Sequence, residues 1–380
     1  MKLKKDLVGM TGFNGRLVLI KSYLILLLTI LLTACSNNNY EFTHSQVATL
    51  QPIYSTDITD GSSLFYEKFC YILKINTDEN CEEYIYIKNS SLSNVKYNQR
   101  LFSGNKIHFV VVPGVFGECI IEDVAPFQFA IPYIENKYSS VSFSTVPKLS
   151  GRASSEYNAG IINDHLSKLN PSKDSKVIIL AYSKGVTDTL FYLKNFYSKK
   201  PQKLDAIVSI SGVVNGTFIA DYVGTFGDKV GGALPLKNCP TKDNSGIANL
   251  TMANQFNWLA QNKEIFTQGI PMFSLVTASS ANKTSAVFKP FHSYLNSVFG
   301  SNDGQVNTVN QILPKSTFLG VMNADHWAII LPFSDTKLDD ISTINKIVKS
   351  LATKNRFPRK ELLESILLTV DYNMQKKTEM

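Results

Sequence analysis

From residue 107 onward, short apolar runs recur between longer stretches whose apolar residues fall at helical spacing. Ile107–Val112, Val141–Val146, Val177–Leu180, Asp205–Ile210, Pro271–Thr277 and Ser316–Val321 are too short for helices and rich in β-branched residues, which predicts strands. Glu156–Leu169 and Val186–Tyr197 predict helices between them. Strands separated by helices favour a mostly parallel sheet, because parallel neighbours need a long crossover. A further helix is expected over Ile247–Phe266, through Leu250, Phe256, Trp258 and Leu259, and Pro358 opens a last one over Arg359–Val370. Ahead of this pattern, Leu64, Phe65, Phe69, Ile72 and Leu73 predict a helix capped by Ser62 or Ser63. Tyr84–Ile87 alternates like a strand. Residues 35–100 read as a tether and an N-terminal extension packed on a main domain at 101–380.

The alternation breaks over about 218–269. This insertion opens with a glycine-rich stretch from Gly224 to Gly232 and then carries the helix expected from Ile247. Above the C-terminal edge of a sheet it would serve as a mobile lid or substrate wall, or equally as an ordinary helical cap. The 380 residues, 44% hydrophobic and 18% charged, suffice for one large α/β domain with such additions.

The first 34 residues stand apart. Lys2, Lys4, Lys5, Arg16 and Lys21 precede an apolar core from Tyr23 to Leu32, too short to span a bilayer comfortably. Leu32-Thr33-Ala34-Cys35 then resembles the lipobox of bacterial lipoproteins, and the polar run Ser36–Asn39 resembles their tether. That resemblance implies a signal peptide over 1–34, an acylated Cys35 as mature first residue, and an exported, membrane-anchored protein on the periplasmic face or cell surface. Without residues 1–34 the net charge falls from +7 to +3, too mild to argue for nucleic acid.

Four other cysteines remain: Cys70, Cys81, Cys119 and Cys239. In an oxidising compartment an even count permits two disulfides. Cys70 and Cys81 are near neighbours, which favours that pair and leaves Cys119 with Cys239. Their spacing suggests no metal site, and no cofactor is expected.

The chemistry centres on Ala181-Tyr182-Ser183-Lys184-Gly185. A bare Ser-x-Gly should occur roughly once or twice by chance in a chain of this length. Here, however, a buried strand precedes it and a helix follows. Strand, tight turn and helix lift the Ser183 hydroxyl above the sheet edge and aim free helix N–H groups at developing negative charge. Pro113-Gly114-Val115-Phe116-Gly117, after the earlier strand, is placed to supply a second donor. By position the two oxyanion donors are the backbone N–H groups of Val115 and Lys184.

A serine nucleophile needs a histidine to take its proton and a carboxylate to orient that histidine. Ser301-Asn302-Asp303-Gly304 follows the penultimate strand and Ala324-Asp325-His326-Trp327 follows the last, so Ser183, Asp303 and His326 are the expected catalytic residues. The other histidines are less well placed. His44 lies in the tether, His108 inside a strand and His165 in a helix, while His292 follows no clear strand. Asp325 adjoins His326 and cannot readily face its imidazole, and Asp188 suits a helix N-terminus for dipole reasons alone.

Together, Val112–Val115, Ala181–Gly185, Ser301–Gly304 and Ala324–Trp327 resemble the bacterial lipase/esterase-like branch of the α/β-hydrolase superfamily. The resemblance covers roughly residues 105–335. Ala181 and Val186 stand where glycines are commoner, and Lys184 puts a cation beside the nucleophile. It implies an α/β-hydrolase fold, with a mostly parallel central sheet flanked by helices and a cap or lid insertion. It also implies cleavage of carboxylic esters, lipid or acyl-ester, through an acyl-serine intermediate. Thioesterase or acyltransferase chemistry on the same residues, or a non-catalytic lipoprotein using the fold as a scaffold, would be compatible with the same sequence.

Overall fold

A computed structural model describes residues 57–86, 102–114, 125–222, 245–332 and 356–379. Cys35, Val115, Cys119, Cys239 and the glycine-rich start of the insertion therefore lie outside the described residues.

Among the described residues seven strands form one sheet: β1 (Thr59–Asp60), β2 (Ile107–Val112), β3 (Val141–Thr145), β4 (Lys176–Tyr182), β5 (Ala206–Ile210), β6 (Met272–Ala278) and β7 (Thr317–Asn323). Their order is β1-β7-β6-β5-β4-β2-β3, and every neighbouring pair is parallel. The helices are α1 (Ser62–Thr77), α2 (Ala130–Lys137), α3 (Ser155–Lys168), α4 (Lys184–Tyr192), α5 (Ser245–Ala248), α6 (Met252–Gln261), α7 (Lys289–Phe299) and α8 (Arg359–Glu379).

Strand alternation sorts the core into two layers. On β4, Ile178, Leu180 and Tyr182 join a cluster with Phe65, Phe69 and Leu73 of α1, Ile134 of α2, and Leu362, Ile366 and Val370 of α8. Val177, Ile179 and Ala181 face the opposite layer, with Ala159, Ile162 and Leu166 of α3 and Val186 and Leu190 of α4. Phe65, Phe69 and Leu73 are fully buried, each contributing about 1.5–3 kcal/mol of burial. The front helix is thus an integral wall of this layer.

Several local expectations change. Neither Ser62 nor Ser63 caps α1: Gly61 holds the cap position and the Asp60 carboxylate accepts the Ser62 N–H at 2.9 Å. A side chain at Gly61 would meet Thr317 Cγ2 at 2.6 Å, so the chain enters the helix too close to β7 for a serine cap. Residues 84–86 make no strand. Ile85 forms an isolated antiparallel bridge with Met322, and the turn Cys81–Glu83 ahead of it is tied back to α1 by the Cys70–Cys81 disulfide. The single helix expected over 247–266 is three pieces, α5, α6 and a 3-10 turn at Lys263–Thr267. The first break occurs where the Leu250 carbonyl accepts the Thr217 N–H and Gly216 packs on the Met252 backbone. At the second, Asn262 leaves helical geometry and its side-chain amide donates to the Trp258 carbonyl.

Candidate active site

Ser183 is the single residue between β4 and α4, and the backbone there is strained at φ 55°, ψ −127°. Such a conformation costs a non-glycine residue about 1–3 kcal/mol and persists only where its surroundings impose it. They do so here: Ser183 N–H donates to the Ile210 carbonyl, and its own carbonyl accepts from Val186 and Val213. The sharp turn brings α4 against the end of β2. A side chain at Gly185 would meet the carbonyls of Val112 and Pro113, the latter at 2.6 Å, and one at Gly114 would meet Ser183 Cβ at 2.7 Å. Glycine at these two positions lets the Pro113-Gly114 turn lie against the serine. Val186 is accommodated beside Gly212, where a side chain would meet its Cγ2 at 2.9 Å.

The three residues expected to act together are together. Ser183 Oγ lies 2.8 Å from His326 Nε2, and His326 Nδ1 lies 2.7 Å from Asp303 Oδ2. All three are buried. Asp303 follows α7, beyond β6, and His326 stands just past the end of β7, so loops from two strands reach across to the turn after β4.

Asp303 sits among donors. Oδ1 accepts the N–H groups of Gln305 at 3.0 Å and Val306 at 2.8 Å. Oδ2 accepts the Thr277 hydroxyl at 2.7 Å and the Gln311 amide at 3.3 Å, besides the imidazole. Because the Thr277 hydroxyl is directed at Asp303, Ser211, 2.7 Å away, donates to it in turn. A carboxylate that only accepts assigns the Nδ1 proton to the side facing Asp303 and leaves the Nε2 lone pair facing Ser183.

Lys184 is the first residue of α4, and its N–H has no carbonyl one turn earlier within the helix to bond. It stands where an oxyanion donor is expected. Its side chain corrects the expectation of a cation beside the nucleophile. The ammonium is fully buried and donates to Asp188 Oδ1 at 2.6 Å, one turn along α4. Asp188 Oδ2 accepts the Asn158 amide of α3 at 2.8 Å. Burial pushes the Asp188 carboxyl up, against the pull of the Lys184 ammonium and of the Asn158 hydrogen bond. Asp188 is therefore more than a helix-dipole acid, though it makes no contact with His326.

The remaining described histidines have other partners. His108 bonds Ser142 and Ser144, His165 bonds Ser144, and buried His292 bonds the Ser279 carbonyl. Asp325 points away from the imidazole beside it. It accepts from Ser285 and from the N–H groups of Trp327 and Ala328, which fixes the turn that carries His326. Among the described residues no group of three or more His, Cys, Asp or Glu side chains could hold a metal ion.

Thr277, Gln311, Ser211 and Tyr182 were not singled out from the sequence. Tyr182 carried a usable signal, since a tyrosine ending a buried strand needs a partner for its hydroxyl. Gln311 carried none, being one polar residue in a long connection.

A seven-stranded parallel sheet with helices on both faces, and a serine on the turn after its inner strand β4, defines the α/β-hydrolase fold. Among solved structures the chain is similar to the metagenomic carboxyl esterase MGS0156, at 26% identity over 83% of this chain and 93% of that one, with a TM-score of 0.70. It is similar more distantly to the mature form of Bacillus licheniformis lipase BlEst2 (21% identity, 62% and 89% covered, TM-score 0.46). Lipase 1 from Pelosinus fermentans matches at 14% identity, with 66% and 98% covered and a TM-score of 0.41. No protein-family model and no curated protein matches the chain.

Proposed function

We propose that this protein is a serine hydrolase that cleaves carboxylic esters through an acyl-Ser183 intermediate. The observation that carries the reading is the continuous chain Ser183 Oγ, His326 Nε2, His326 Nδ1, Asp303 Oδ2, with separations of 2.8 and 2.7 Å at its two hydrogen bonds. The similarity to a carboxyl esterase over most of both chains supports the substrate class.

In this mechanism Ser183 Oγ attacks the ester carbonyl carbon while its proton passes to His326 Nε2. Asp303 holds the imidazole in place and stabilises the imidazolium. The carbonyl oxygen becomes an oxyanion facing the Lys184 N–H, with the Val115 N–H as second donor. Collapse of the tetrahedral adduct breaks the bond to the alkoxy group, which leaves with the proton from Nε2. Water then gives its proton to His326 Nε2 as it attacks the acyl carbon; collapse of this second adduct breaks the bond to Ser183 Oγ, which takes the proton back from Nε2 as the carboxylic acid leaves. Each step uses groups of this chain, substrate and water alone.

The lipobox-like Leu32–Cys35 supports attachment to a membrane through acylated Cys35. Mass spectrometry of mature protein should find a lipid-modified N-terminal Cys35; an unmodified N-terminus elsewhere would contradict the anchor. The hydrolase reading is tested with p-nitrophenyl esters of increasing chain length. Wild-type protein should turn them over without added metal, and Ser183→Ala should lose about a millionfold in kcat if the three residues act as a unit. Equal rates for wild type and Ser183→Ala would contradict it.

A further inference from the structure

The hydrogen bonds around His326 form a closed set. Two belong to Asp303, whose carboxylate takes Nδ1 and whose carbonyl accepts the His326 N–H at 2.9 Å. The other two belong to consecutive residues of the elbow. Ser183 Oγ meets Nε2, and the Tyr182 hydroxyl donates to the His326 carbonyl at 2.5 Å. The Tyr182 ring also lies against the imidazole, 5.2 Å between centroids and tilted by 34°. Tyr182 is the last residue of β4 and buried, and its side chain belongs to the layer formed with α1, α2 and α8.

We propose that Tyr182 is a positioning residue for His326, fixing the height and tilt of the imidazole relative to Ser183 through its hydroxyl and its ring. The inference rests on the serine-hydrolase reading above. Its physical basis is that Tyr182 and Ser183 share one backbone. The distance from Ser183 to Nε2 is then set from both ends, through the side chain of residue 183 and through the neighbour that holds the histidine's own main chain. His326 stands on a loop after β7, and in the sheet order β6 and β5 separate β7 from β4. Asp303 and Asp325 hold the turn that carries His326, and among the described residues the Tyr182 hydroxyl makes the direct hydrogen bond from β4 to the His326 backbone. Burial, with the charges of Asp303 and Asp325, raises the Tyr182 hydroxyl well above its usual range, so it stays protonated and donates. The hydroxyl meets no reacting atom, and its effect passes through the histidine.

The test uses Tyr182→Phe, with Tyr66→Phe as a matched control. Tyr66 also buries a hydroxyl against a backbone in the same layer, where it contacts Val321 N at 2.6 Å and has no bond to the three central residues. Full-length proteins are titrated with a fluorophosphonate to count competent sites, and kcat and KM are read per titrated site on one p-nitrophenyl ester. Tyr182→Phe should lose about 10- to 100-fold in kcat, because a shift of about 1 Å in a reacting group has that consequence. Its KM should stay within about threefold, since no substrate-binding group has changed. Tyr66→Phe should keep wild-type kcat and KM while its thermal midpoint falls. A kcat for Tyr182→Phe within twofold of wild type would overturn the inference. So would an equal kcat loss in both variants, or failure of Tyr182→Phe alone to fold, which would make the hydroxyl a determinant of stability. Absence of labelling in the wild type would instead overturn the hydrolase reading.

Discussion

Lys184 Nζ and Asp188 Oδ1 stand 2.6 Å apart with both side chains withdrawn from solvent, one helical turn from each other directly behind the serine. The pair ties the first turn of α4, which carries the proposed oxyanion donor, to Asn158 of α3. Two charges out of water are tolerable only as a pair, so the consequence of removing one is large and signed.

Lys184→Met should therefore destabilise the protein by about 3–5 kcal/mol at neutral pH, by stranding a buried carboxylate. The Asp188 carboxyl already sits above its ordinary range through burial, and losing the ammonium raises it further. A carboxyl raised on folding binds its proton more tightly in the folded state. Its favourable contribution is present at low pH and is lost as pH rises from the unfolded value through the folded one. The deficit of the variant relative to wild type should accordingly shrink on acidification, and Lys184→Met/Asp188→Leu should recover much of the loss. Urea midpoints of the three proteins across pH check this; a deficit that grows towards acid would contradict it.

Asp303→Asn should lower kcat by about 10³- to 10⁴-fold with the fold retained. Five donors converge on Asp303, and an amide would direct its own N–H groups at one of them. The relief is a rotated imidazole or the wrong tautomer. Steady-state kinetics beside circular dichroism would decide it, and a variant within tenfold of wild type would remove Asp303 from the mechanism.

The Cys70–Cys81 bridge closes a short loop, with 11 residues of sequence separation, between α1 and the turn ahead of Ile85, which bridges to Met322 of β7. A loop of that length constrains the unfolded chain by about 3 kcal/mol. Cys70→Ser/Cys81→Ser should show a correspondingly lower denaturant midpoint, and non-reducing peptide maps should recover the 70–81 link from wild type. An unchanged midpoint, or alkylation of both thiols in the native protein, would contradict the prediction.

The parts of this fold legible in the sequence were those written in short-range pattern. Most of the strands announced themselves because a parallel strand buried on both faces must be a run of apolar residues, as Ile178 to Leu180 are, while the edge strand β3 was legible by alternation. The elbow and the two late loops were legible because their chemistry needs particular residue types in a particular order. What escaped was set by distant contacts. Thr59–Asp60 joins the sheet only because β7 offers an open edge. The break between α5 and α6 is imposed by Thr217, more than thirty residues earlier. The Lys184 ammonium could be assigned to Asp188 only once both were seen to be buried, since an exposed i,i+4 pair reads identically in sequence. Gln311 and Tyr182 hold their partners across 8 and 144 positions, beyond any local pattern.

The central claim, that Ser183 is the nucleophile activated by His326, is tested most directly by locating a fluorophosphonate adduct. Wild-type protein should gain the mass of one adduct, and peptide mapping should place it on the peptide containing Ser183. His326→Ala should react with the same probe at least about 10³-fold more slowly, because the proton acceptor is gone. An adduct on any other residue, or equal labelling rates for wild type and His326→Ala, would contradict the account.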